Sequence, residues 1–325
     1  MKALVYELYG TADVLVLQEV ATPTPKAGEV LISVDAVGLN YADGAFLKGQ
    51  PFVVRLGAGL IKPKNKILGA DVAGRVTAIG SDVTQFEIGD EVFGDLSGVG
   101  FGGLAEYVCA PESLVAAKPA NISLAEAAAV PMAAVTAWQC IQSAGGVKSG
   151  EKVLINGASG GVGTYMVQLA KVFGGEVTAV CSARNMEIAQ SLGADHVIDY
   201  RQEDFTQNGK QYDLVIGVNG NRSLAEYKRV LAPQGRYICS GGSMRQIFQA
   251  ILFGSFMSKQ GGQTMSSMGV AKPSQKDLIS VGELLKAGKI KPMIDKQYPL
   301  AQGADAFRYL GEGHAQGKIV ITISN

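Results

Sequence analysis

The first 120 residues alternate short apolar runs with turn-forming residues. Runs such as EVLISVDAVGL (29–39) and AGRVTAIG (73–80) are interrupted at short intervals by Gly, Pro and Asp. Regularly spaced short strands with such breaks are typical of a β-barrel or a β-sandwich. The pattern therefore predicts an all-β, barrel-like domain at the start of the chain.

After residue 123 the pattern becomes helical and then alternates. The segment SLAEAAAVPMAAVTAWQCIQSA (123–144) is alanine-rich and starts at a serine, and Pro131 should divide it into two helices. From residue 151 short apolar strands are separated by helical segments, which predicts parallel βαβ units and a doubly wound sheet. The predicted elements are the strands KVLING (152–157), EVTAVC (176–181), HVIDY (196–200), YDLVIGV (212–218) and RYICSG (236–241), then a helix over DLISVGELLKAGKI (277–290) and a closing strand GKIVITI (317–323).

The charges of the chain balance. Its 325 residues include 29 basic and 29 acidic side chains, so the formal net charge is zero. A chain without a basic excess is a poor partner for nucleic acid or for an anionic membrane in general, although a local basic pocket is compatible with it. The length allows roughly two domains, each large enough to bury a core without disulfides.

The cysteines and apolar runs bear on the compartment. Cys109, Cys140, Cys181 and Cys239 are far apart and form no CxxC pair, which favours reduced core thiols over zinc sites or disulfides. The strand-like start MKALVYELYG does not resemble a signal peptide. The apolar run IFQAILFGSFM (247–257) is shorter than the roughly 20 residues that span a bilayer, so we expect a buried helix there. A soluble cytoplasmic protein is expected.

The stretch NGASGGVGTYMVQLAK (156–171) carries the strongest chemical signal. It follows a predicted strand, opens a predicted helix, and contains Ala158-x-Gly160-x-x-Gly163, a dinucleotide-binding pattern with alanine in the first place. Gly160 would let the backbone approach a pyrophosphate, and Gly163 would let the helix pack closely on the strand. The helix N-terminus would then face the phosphates. The candidate phosphate contacts are Ser159, Gly160, Gly161 and Val162.

The end of the next strand indicates which dinucleotide binds. NAD sites usually place a carboxylate there to hold the ribose hydroxyls. Here the stretch VTAVCSARN (177–185) offers Ser182, Arg184 and Asn185, and no carboxylate precedes Glu187. A cation and a hydroxyl suit a 2′-phosphate, so we predict NADPH as the cofactor.

Several motifs together resemble a known family. GLNYADGAFLKG (38–49), LGADVAG (68–74), PMAAVTAWQC (131–140), SLGADHVIDY (191–200) and HAQGKIVITI (314–323), with the glycine loop, are similar to the medium-chain dehydrogenase/reductase superfamily. Within it they resemble the zinc-free quinone oxidoreductase and enone reductase branch. The resemblance implies a GroES-like β-barrel catalytic domain, a Rossmann domain with a doubly wound parallel sheet, and a cofactor in the cleft between them. The implied domains are residues 1–122 with 262–325 (catalytic) and 123–261 (Rossmann, NADPH-binding).

The same resemblance argues against a metal. Zinc relatives carry ligands at the positions of Asn40, Ala70 and Met132, and these three side chains cannot replace thiolate and imidazole around zinc. His196 and His314 are the only histidines, and both read as ordinary polar residues. We therefore expect no metal site.

The resemblance also implies roles for individual residues. It places Asn40 and Tyr41 beside the nicotinamide, where Asn40 could position the carboxamide or the substrate oxygen and Tyr41 could donate a proton. Asp43 and Asp71 are expected to be structural. The further expected cofactor contacts are Thr136 near the nicotinamide, Lys171 and Tyr200 on the adenosine side, Val218, Asn219, Ser240, Gly241 and Gly242 at strand ends, and Lys318 near the C-terminus.

Three functions fit these features. The leading hypothesis is an NADPH-dependent oxidoreductase that transfers hydride to quinones or to the C=C bond of α,β-unsaturated carbonyls. An enoyl-thioester reductase is a second, for which the lysines of LIKPKNK (60–66) could serve an acyl carrier, although a solvated loop is the simpler interpretation. A non-catalytic NADPH-binding protein is a third. We also expect a homodimer, paired near GGQTMSSMGV (261–270), as relatives commonly pair there.

Overall fold

The computed structural model describes residues 1–218, 222–241 and 262–323. The chain forms two compact units. The first unit comprises Met1–Val135 and Lys272–Asn325, and the second comprises Thr136–Ala271. The segment 247–257, expected to be a buried helix, lies outside the described residues.

The first unit is built mainly of β-strands. Its strands are β1 (Lys2–Val5), β2 (Val16–Glu19), β3 (Glu29–Leu39), β4 (Asp71–Ile79), β5 (Glu91–Asp95), β6 (Tyr107–Pro111), β7 (Val115–Ala117), β14 (Ile294–Pro299) and β15 (Lys318–Thr322). Its helices are α1 (Tyr41–Lys48), α2 (Val53–Ala58), α3 (Leu124–Ala128), α8 (Gln275–Lys286) and α9 (Gly303–Glu312), while α4 (Pro131–Ser143) runs from the first unit into the second.

Strand β3 organises the first unit. The larger sheet has the order β14-β15-β3-β4-β5-β7, and β6 also pairs with β3. Alternate residues of β3, such as Val30, Ile32 and Val34, are buried in the core, as its sequence pattern predicts. The C-terminal strand β15 runs antiparallel to β3 with Ile319 opposite Leu39. This register brings the residue before Ile319 next to the residue after Leu39.

The second unit contains a six-stranded parallel sheet. Its order is β10-β9-β8-β11-β12-β13, and every adjacent pair is parallel. Successive strands run outward from β8 on one side and from β11 on the other, so the chain order reverses between these two strands. This confirms the predicted doubly wound sheet. The elements are β8 (Lys152–Asn156), β9 (Glu176–Cys181), β10 (His196–Asp199), β11 (Tyr212–Gly217), β12 (Leu231–Cys239), β13 (Thr264–Ser267), α5 (Gly161–Val172), α6 (Met186–Ser191) and α7 (Leu224–Arg229).

The predicted break at Pro131 is confirmed. Ser123 caps α3, because its hydroxyl accepts from the N–H of Glu126 at 3.2 Å while the Glu126 carboxylate accepts from the Ser123 N–H at 2.8 Å. Pro131 is the first residue of α4, where a missing N–H costs no helical hydrogen bond.

The expectation for the cysteines also agrees with the structure. All four are free thiols, with Cys109 half-buried and the other three buried. Among the described residues, no helix is both long enough and apolar enough to cross a membrane.

Candidate functional site: a dinucleotide edge and a buried polar cluster

The glycine loop joins the central strand β8 to α5. A Cβ on Gly163 would collide with the carbonyl oxygen of Gly157, so only glycine lets the helix pack this closely on the loop. At Gly160 the space where a Cβ would lie has no atom within 4 Å. Gly160 is the N-cap of α5, and the first N–H groups of that helix have no carbonyl one turn earlier to bond.

These features fit a pyrophosphate. Open space above the backbone allows close approach, and the N–H groups of Gly161 and Val162 with the helix dipole favour an anion. Ser159 lies half-buried on the same loop. The loop therefore has the donors and the space that the sequence pattern predicts.

The end of β9 provides the polar groups predicted for a 2′-phosphate. Ser182 and Asn185 are buried, and the Asn185 side-chain amide donates to the Ser182 hydroxyl at 3.1 Å. Arg184 is exposed between them. Glu187 already lies on α6, as expected.

The neighbouring strand β10 ends in two residues relevant to the adenosine. Tyr200 follows it and is half exposed, with the Arg201 guanidinium 5.8 Å from its ring centre. Asp199 is buried, lies opposite Cys181 in the register, and accepts from the N–H of Arg201 at 3.1 Å. The sequence pattern did not identify this carboxylate as a candidate. In the structure it stabilises the turn after β10 by accepting from the Arg201 N–H.

Other predicted contacts lie at the same edge of the sheet, where β11 and β12 end. Val218 donates its N–H to the Asn156 carbonyl, and Ser240 donates its N–H to the Gly217 carbonyl, both at 2.9 Å. A Cβ on Gly241 would lie 2.6 Å from the Val218 carbonyl oxygen, so this turn is tightly packed. Asn219 and Gly242 lie outside the described residues.

The structure places two other predicted contacts on helices. Thr136 is half-buried on α4. Lys171 lies in the last turn of α5, about 15 Å along the helix from the glycine loop. Its ammonium bonds Asp195 at 2.7 Å and the Gly175 carbonyl at 3.0 Å. The structure therefore does not bring Lys171 to the edge where the other adenosine-side residues lie.

The first unit contains a buried polar cluster, defined by Asn40, Asp43, Asp71 and Lys318. The Lys318 ammonium lies 2.5 Å from the Asn40 carboxamide oxygen and 3.1 Å from an Asp71 carboxylate oxygen. Lys318 is 3% exposed, and Asp43 and Asp71 are fully buried. The Asn40 amide nitrogen donates to the Gly38 carbonyl at 3.2 Å.

Both buried aspartates hold backbone groups in place. Asp43 accepts from the N–H groups of Asn40 at 2.8 Å and Gly69 at 3.0 Å, so it caps α1 and ties it to the loop before β4. Asp71 accepts from the N–H of Met132 at 2.9 Å, at the start of α4. These contacts agree with the structural roles expected for both residues.

Burial controls the protonation of these carboxyls. It raises the pKa of Asp43 to about 7, against the opposing hydrogen bonds from Asn40 and Gly69. Burial also raises the pKa of Asp71, while the Lys318 ammonium acts in the opposite direction. A third carboxyl, Asp95, lies opposite Asp71 in the sheet, and burial followed by the charge of Asp71 raises its pKa to about 6. Sequence reasoning missed Asp95, because only the β4–β5 register brings it there.

Asn40, Ala70 and Met132, the positions that correspond to the ligands of zinc-dependent relatives, lie in or next to this cluster. Ala70 is fully buried, and Met132 contributes its backbone N–H to Asp71. Within residues 1–218, 222–241 and 262–323, no group of three His, Cys, Asp or Glu side chains could hold a metal ion. His196 pairs with Glu176 at 3.0 Å, and His314 is exposed.

Tyr41 differs sharply from its neighbour in burial. Asn40 is buried, whereas Tyr41, the first residue of α1, is 84% exposed. The Tyr41 ring is therefore open to a ligand, and the Asn40 carboxamide is held by protein groups.

Comparison with known proteins covers both units. Residues 26–120 match the family described as "Alcohol dehydrogenase GroES-like domain", and residues 192–321 match "Zinc-binding dehydrogenase". The chloroplast envelope quinone oxidoreductase homolog of Arabidopsis thaliana is 37% identical, covering 99% of this chain and 98% of the relative. The NADPH-dependent alkenal/one oxidoreductase of the same plant is 33% identical, covering 99% and 79%.

A solved structure resembles the whole chain. The quinone oxidoreductase from Coxiella burnetii has a TM-score of 0.88 and 31% identity, with 100% of this chain and 99% of that chain covered. Similarity of this extent, together with the doubly wound sheet and the GroES-like match, assigns the family. The chain belongs to the medium-chain dehydrogenase/reductase superfamily of oxidoreductases, in its quinone oxidoreductase and enone reductase branch.

Proposed function

We propose that the protein is an NADPH-dependent reductase of quinones and of the C=C bond of α,β-unsaturated carbonyls. NADPH, when bound, supplies a hydride that adds to the quinone or to the β-carbon, and one proton completes the reduced product. The observation that carries the proposal is the open cradle at Gly160 beside a strand end with Ser182 and Arg184. The activities named for its relatives support the same reaction class.

The choice of NADPH over NADH rests on Arg184. Its guanidinium is exposed at the end of β9, within three residues of the Ser182 hydroxyl. A guanidinium and a hydroxyl suit the two negative charges and the acceptor oxygens of a 2′-phosphate. Candidate contacts for the cofactor are Ser159, Gly160, Gly161, Val162, Ser182, Arg184, Asn185, Tyr200, Val218, Ser240 and Gly241, with Thr136 and Asn40 for the nicotinamide end.

The protein itself binds and orients the two reactants and stabilises the oxyanion that develops on the substrate. Tyr41 presents an exposed hydroxyl that could donate to the substrate oxygen, and water is the alternative proton source. The Lys318 ammonium is buried and donates to Asn40 and Asp71, so we propose that it acts on the cofactor site by fixing Asn40.

We propose that the reaction needs no zinc. The side chains at Asn40, Ala70 and Met132 lack the thiolate and imidazole donors of a zinc site, and the Lys318 ammonium already places a positive charge beside Asn40. Elemental analysis should find no stoichiometric zinc, and a chelator should leave turnover unchanged. One zinc per chain would contradict this proposal.

We propose a homodimer, as expected from the sequence. Strand β13 forms the end of the described six-stranded sheet and pairs with β12 on one side. An isologous pairing of two such edges would extend the two sheets into one. Sedimentation at micromolar concentration should give a dimer, and a monomer alone would refute it. The cytoplasmic location also stays a prediction, to be checked by cell fractionation.

A panel of acceptors tests the proposed reaction. NADPH oxidation should be measured with benzoquinone, phenanthrenequinone, an enone, an enal and crotonyl-CoA. Turnover of the quinones or of the enone and enal is the expected result. Preference for crotonyl-CoA would favour the enoyl-thioester reductase, and turnover of none would favour a non-catalytic NADPH-binding protein.

A further inference from the structure

One segment of the first unit exposes a run of large apolar side chains. Phe52, Val53, Leu56, Leu60 and Ile61 are each more than half exposed, and Ile61 reaches 89%. Helix α2 within this segment buries none of its residues. Single exposed apolar residues are common on soluble proteins, but five large ones within ten residues of chain indicate an interaction site.

Two of the apolar side chains share one face of α2. Val53 and Leu56 are three residues apart on α2 and so lie on the same helix face. Arg55 points elsewhere, since it donates to the Gly49 carbonyl at 3.0 Å and lies 4.5 Å from the Tyr9 ring centre. Arg55 thus fastens α2 to the unit on the face that Val53 and Leu56 do not use.

The loop after α2 is also held in place. The Tyr9 hydroxyl donates to the Gly59 carbonyl at 2.6 Å, and the Lys64 N–H donates to the Ala58 carbonyl at 2.8 Å. The chain therefore folds back on the end of α2, so Lys64 lies beside the helix that carries the apolar residues. Lys62 and Lys64 are both exposed.

The charged residues of this segment are all basic. Between Gly44 and Ala70 the chain has no Asp or Glu, but it has five cations, namely Lys48, Arg55, Lys62, Lys64 and Lys66. Lys66 is paired with Glu7 at 2.7 Å. The segment is therefore basic although the chain has zero net charge. Glu7, which pairs with Lys66 and also interacts electrostatically with Lys62, is an acidic group beside it.

We propose that this basic apolar surface, formed by Phe52, Val53, Leu56, Leu60 and Ile61 with Lys62 and Lys64, docks the protein on an anionic lipid bilayer. Aliphatic side chains next to lysines match the acyl boundary and the anionic headgroups of such a bilayer. Nucleic acid would match the lysines but not five exposed apolar residues. The docking is peripheral and goes beyond the proposed reductase activity, because it requires neither cofactor nor turnover.

Vesicle co-sedimentation of the full chain tests the proposal. Vesicles of phosphatidylcholine alone are compared with vesicles that also contain phosphatidylglycerol. The protein should sediment with the anionic vesicles and stay in solution with the neutral ones. Added salt should weaken binding, because it screens the lysines. Activity plays no part in this assay, so its result is independent of whether the reductase proposal holds.

Two variants and two matched controls locate the contact. Lys62→Glu with Lys64→Glu should weaken binding at least about thirtyfold, from roughly 1 kcal/mol for each lysine near an anionic surface. Leu60→Ser with Ile61→Ser should weaken it at low salt as well. The controls are Lys286→Glu with Lys289→Glu, which are exposed lysines elsewhere in the unit, and Ile88→Ser, an exposed isoleucine in another loop. All of these positions are exposed, and thermal unfolding of each variant verifies its fold.

The outcomes separate the proposal from its rivals. Loss of binding in both surface variants, with unchanged controls, supports it. Equal binding to neutral vesicles, or equal losses in the controls, overturns it. Concentration-dependent self-association that disappears in Leu60→Ser with Ile61→Ser would also overturn it, since a second copy would then be the occupant.

Discussion

The Lys318 ammonium lies 2.5 Å from the carboxamide oxygen of Asn40, although 278 residues separate the two along the chain. The antiparallel register of β15 on β3 produces this contact. Asp71 balances the charge of the lysine at 3.1 Å, and all three side chains are buried. The C-terminal strand therefore completes the polar cluster that holds the start of α1.

Removing the lysine charge should destabilise the protein. Lys318→Met leaves Asp71 buried without a cation, and loss of one partner of a buried ion pair costs about 3–5 kcal/mol. Adding Asp71→Asn removes the unpaired charge and should recover much of the loss, while the amide oxygen still accepts from the Met132 N–H. Urea unfolding of the single and double variants measures this. A single variant as stable as wild type would show that the pair contributes little.

The two loop glycines should respond differently to alanine. Gly163→Ala forces a Cβ against the Gly157 carbonyl and should lower the unfolding free energy by more than about 2 kcal/mol. Gly160→Ala meets no atom within 4 Å and has an ordinary φ of −81°, so stability should be nearly unchanged. Its methyl group would instead obstruct a phosphate, and NADPH affinity should fall. Calorimetric titration with thermal unfolding separates the effects, and equal behaviour of the two variants would contradict the loop geometry.

Cofactor choice should depend on Arg184. Arg184→Ala should weaken NADPH binding by about 1–3 kcal/mol, the worth of a charge-assisted hydrogen bond, and leave NADH binding nearly unchanged. The matched control is Arg229→Ala, an exposed arginine that precedes β12 and so lies at the opposite edge of the parallel sheet. Fluorescence titration with both cofactors measures the effect. Equal losses for NADPH and NADH would exclude a 2′-phosphate contact.

Asp95 should make stability depend on pH. Its pKa is raised to about 6 by burial and by Asp71, above the value of about 3.9 for an unfolded chain. The folded state therefore binds this proton more tightly, and the stability that results is full below about pH 4 and is lost as pH rises through about 6. The loss is on the order of 2–3 kcal/mol for a shift of this size.

Asp95→Asn isolates this effect. The amide can still accept from the Ser97 N–H, which bonds Asp95 at 2.8 Å, but it does not titrate. Urea unfolding of wild type and variant should therefore be compared between about pH 4 and pH 7. The stability of wild type relative to the variant should decline over that range. A constant difference would show that Asp95 keeps its usual pKa.

Tyr41→Phe distinguishes two sources of the proton. If the exposed hydroxyl stabilises the oxyanion, turnover should fall by about 10²–10³ with NADPH affinity unchanged. If water supplies the proton, turnover should stay within a few-fold of wild type. We expect the second result, because quinones and enones are electrophilic enough to need little acid assistance. Asn40→Ala is the companion variant and should lower turnover in either case, since it disrupts the contact with Lys318.

Local patterns in the sequence specified much of the fold. Alternation over 29–39 matches the bounds of β3, and Ser123 and Pro131 mark two helix starts. The glycine loop could be recognised from the sequence because the close contact that requires Gly163 is with Gly157, only six residues away. The edge strand β14, IDKQYP, was missed, because it pairs on one side only and needs no regular apolar alternation.

The polar cluster could not be derived from such patterns. Helix α1 was not predicted, since Asp43 stabilises its start partly through the N–H of Gly69, 26 residues away. The partners of Lys318 and the approach of Asp95 to Asp71 follow from strand registers. For Lys171 the motif was misleading. Its place in the motif predicted a cofactor contact, whereas its position along α5 puts it near Asp195.

Deuterium tracing tests the central claim most directly. Metal-depleted protein is incubated with an enone and with NADPH carrying deuterium at the transferable nicotinamide position, and the product is examined by mass spectrometry and NMR. We predict one deuterium at the β-carbon, with the α-proton drawn from water or from a residue that exchanges with it. With a quinone the transferred deuterium ends on oxygen and exchanges with water, so hydroquinone formation is followed instead. No labelled enone product together with no hydroquinone, or turnover that appears only after zinc is restored, would contradict a zinc-independent NADPH reductase.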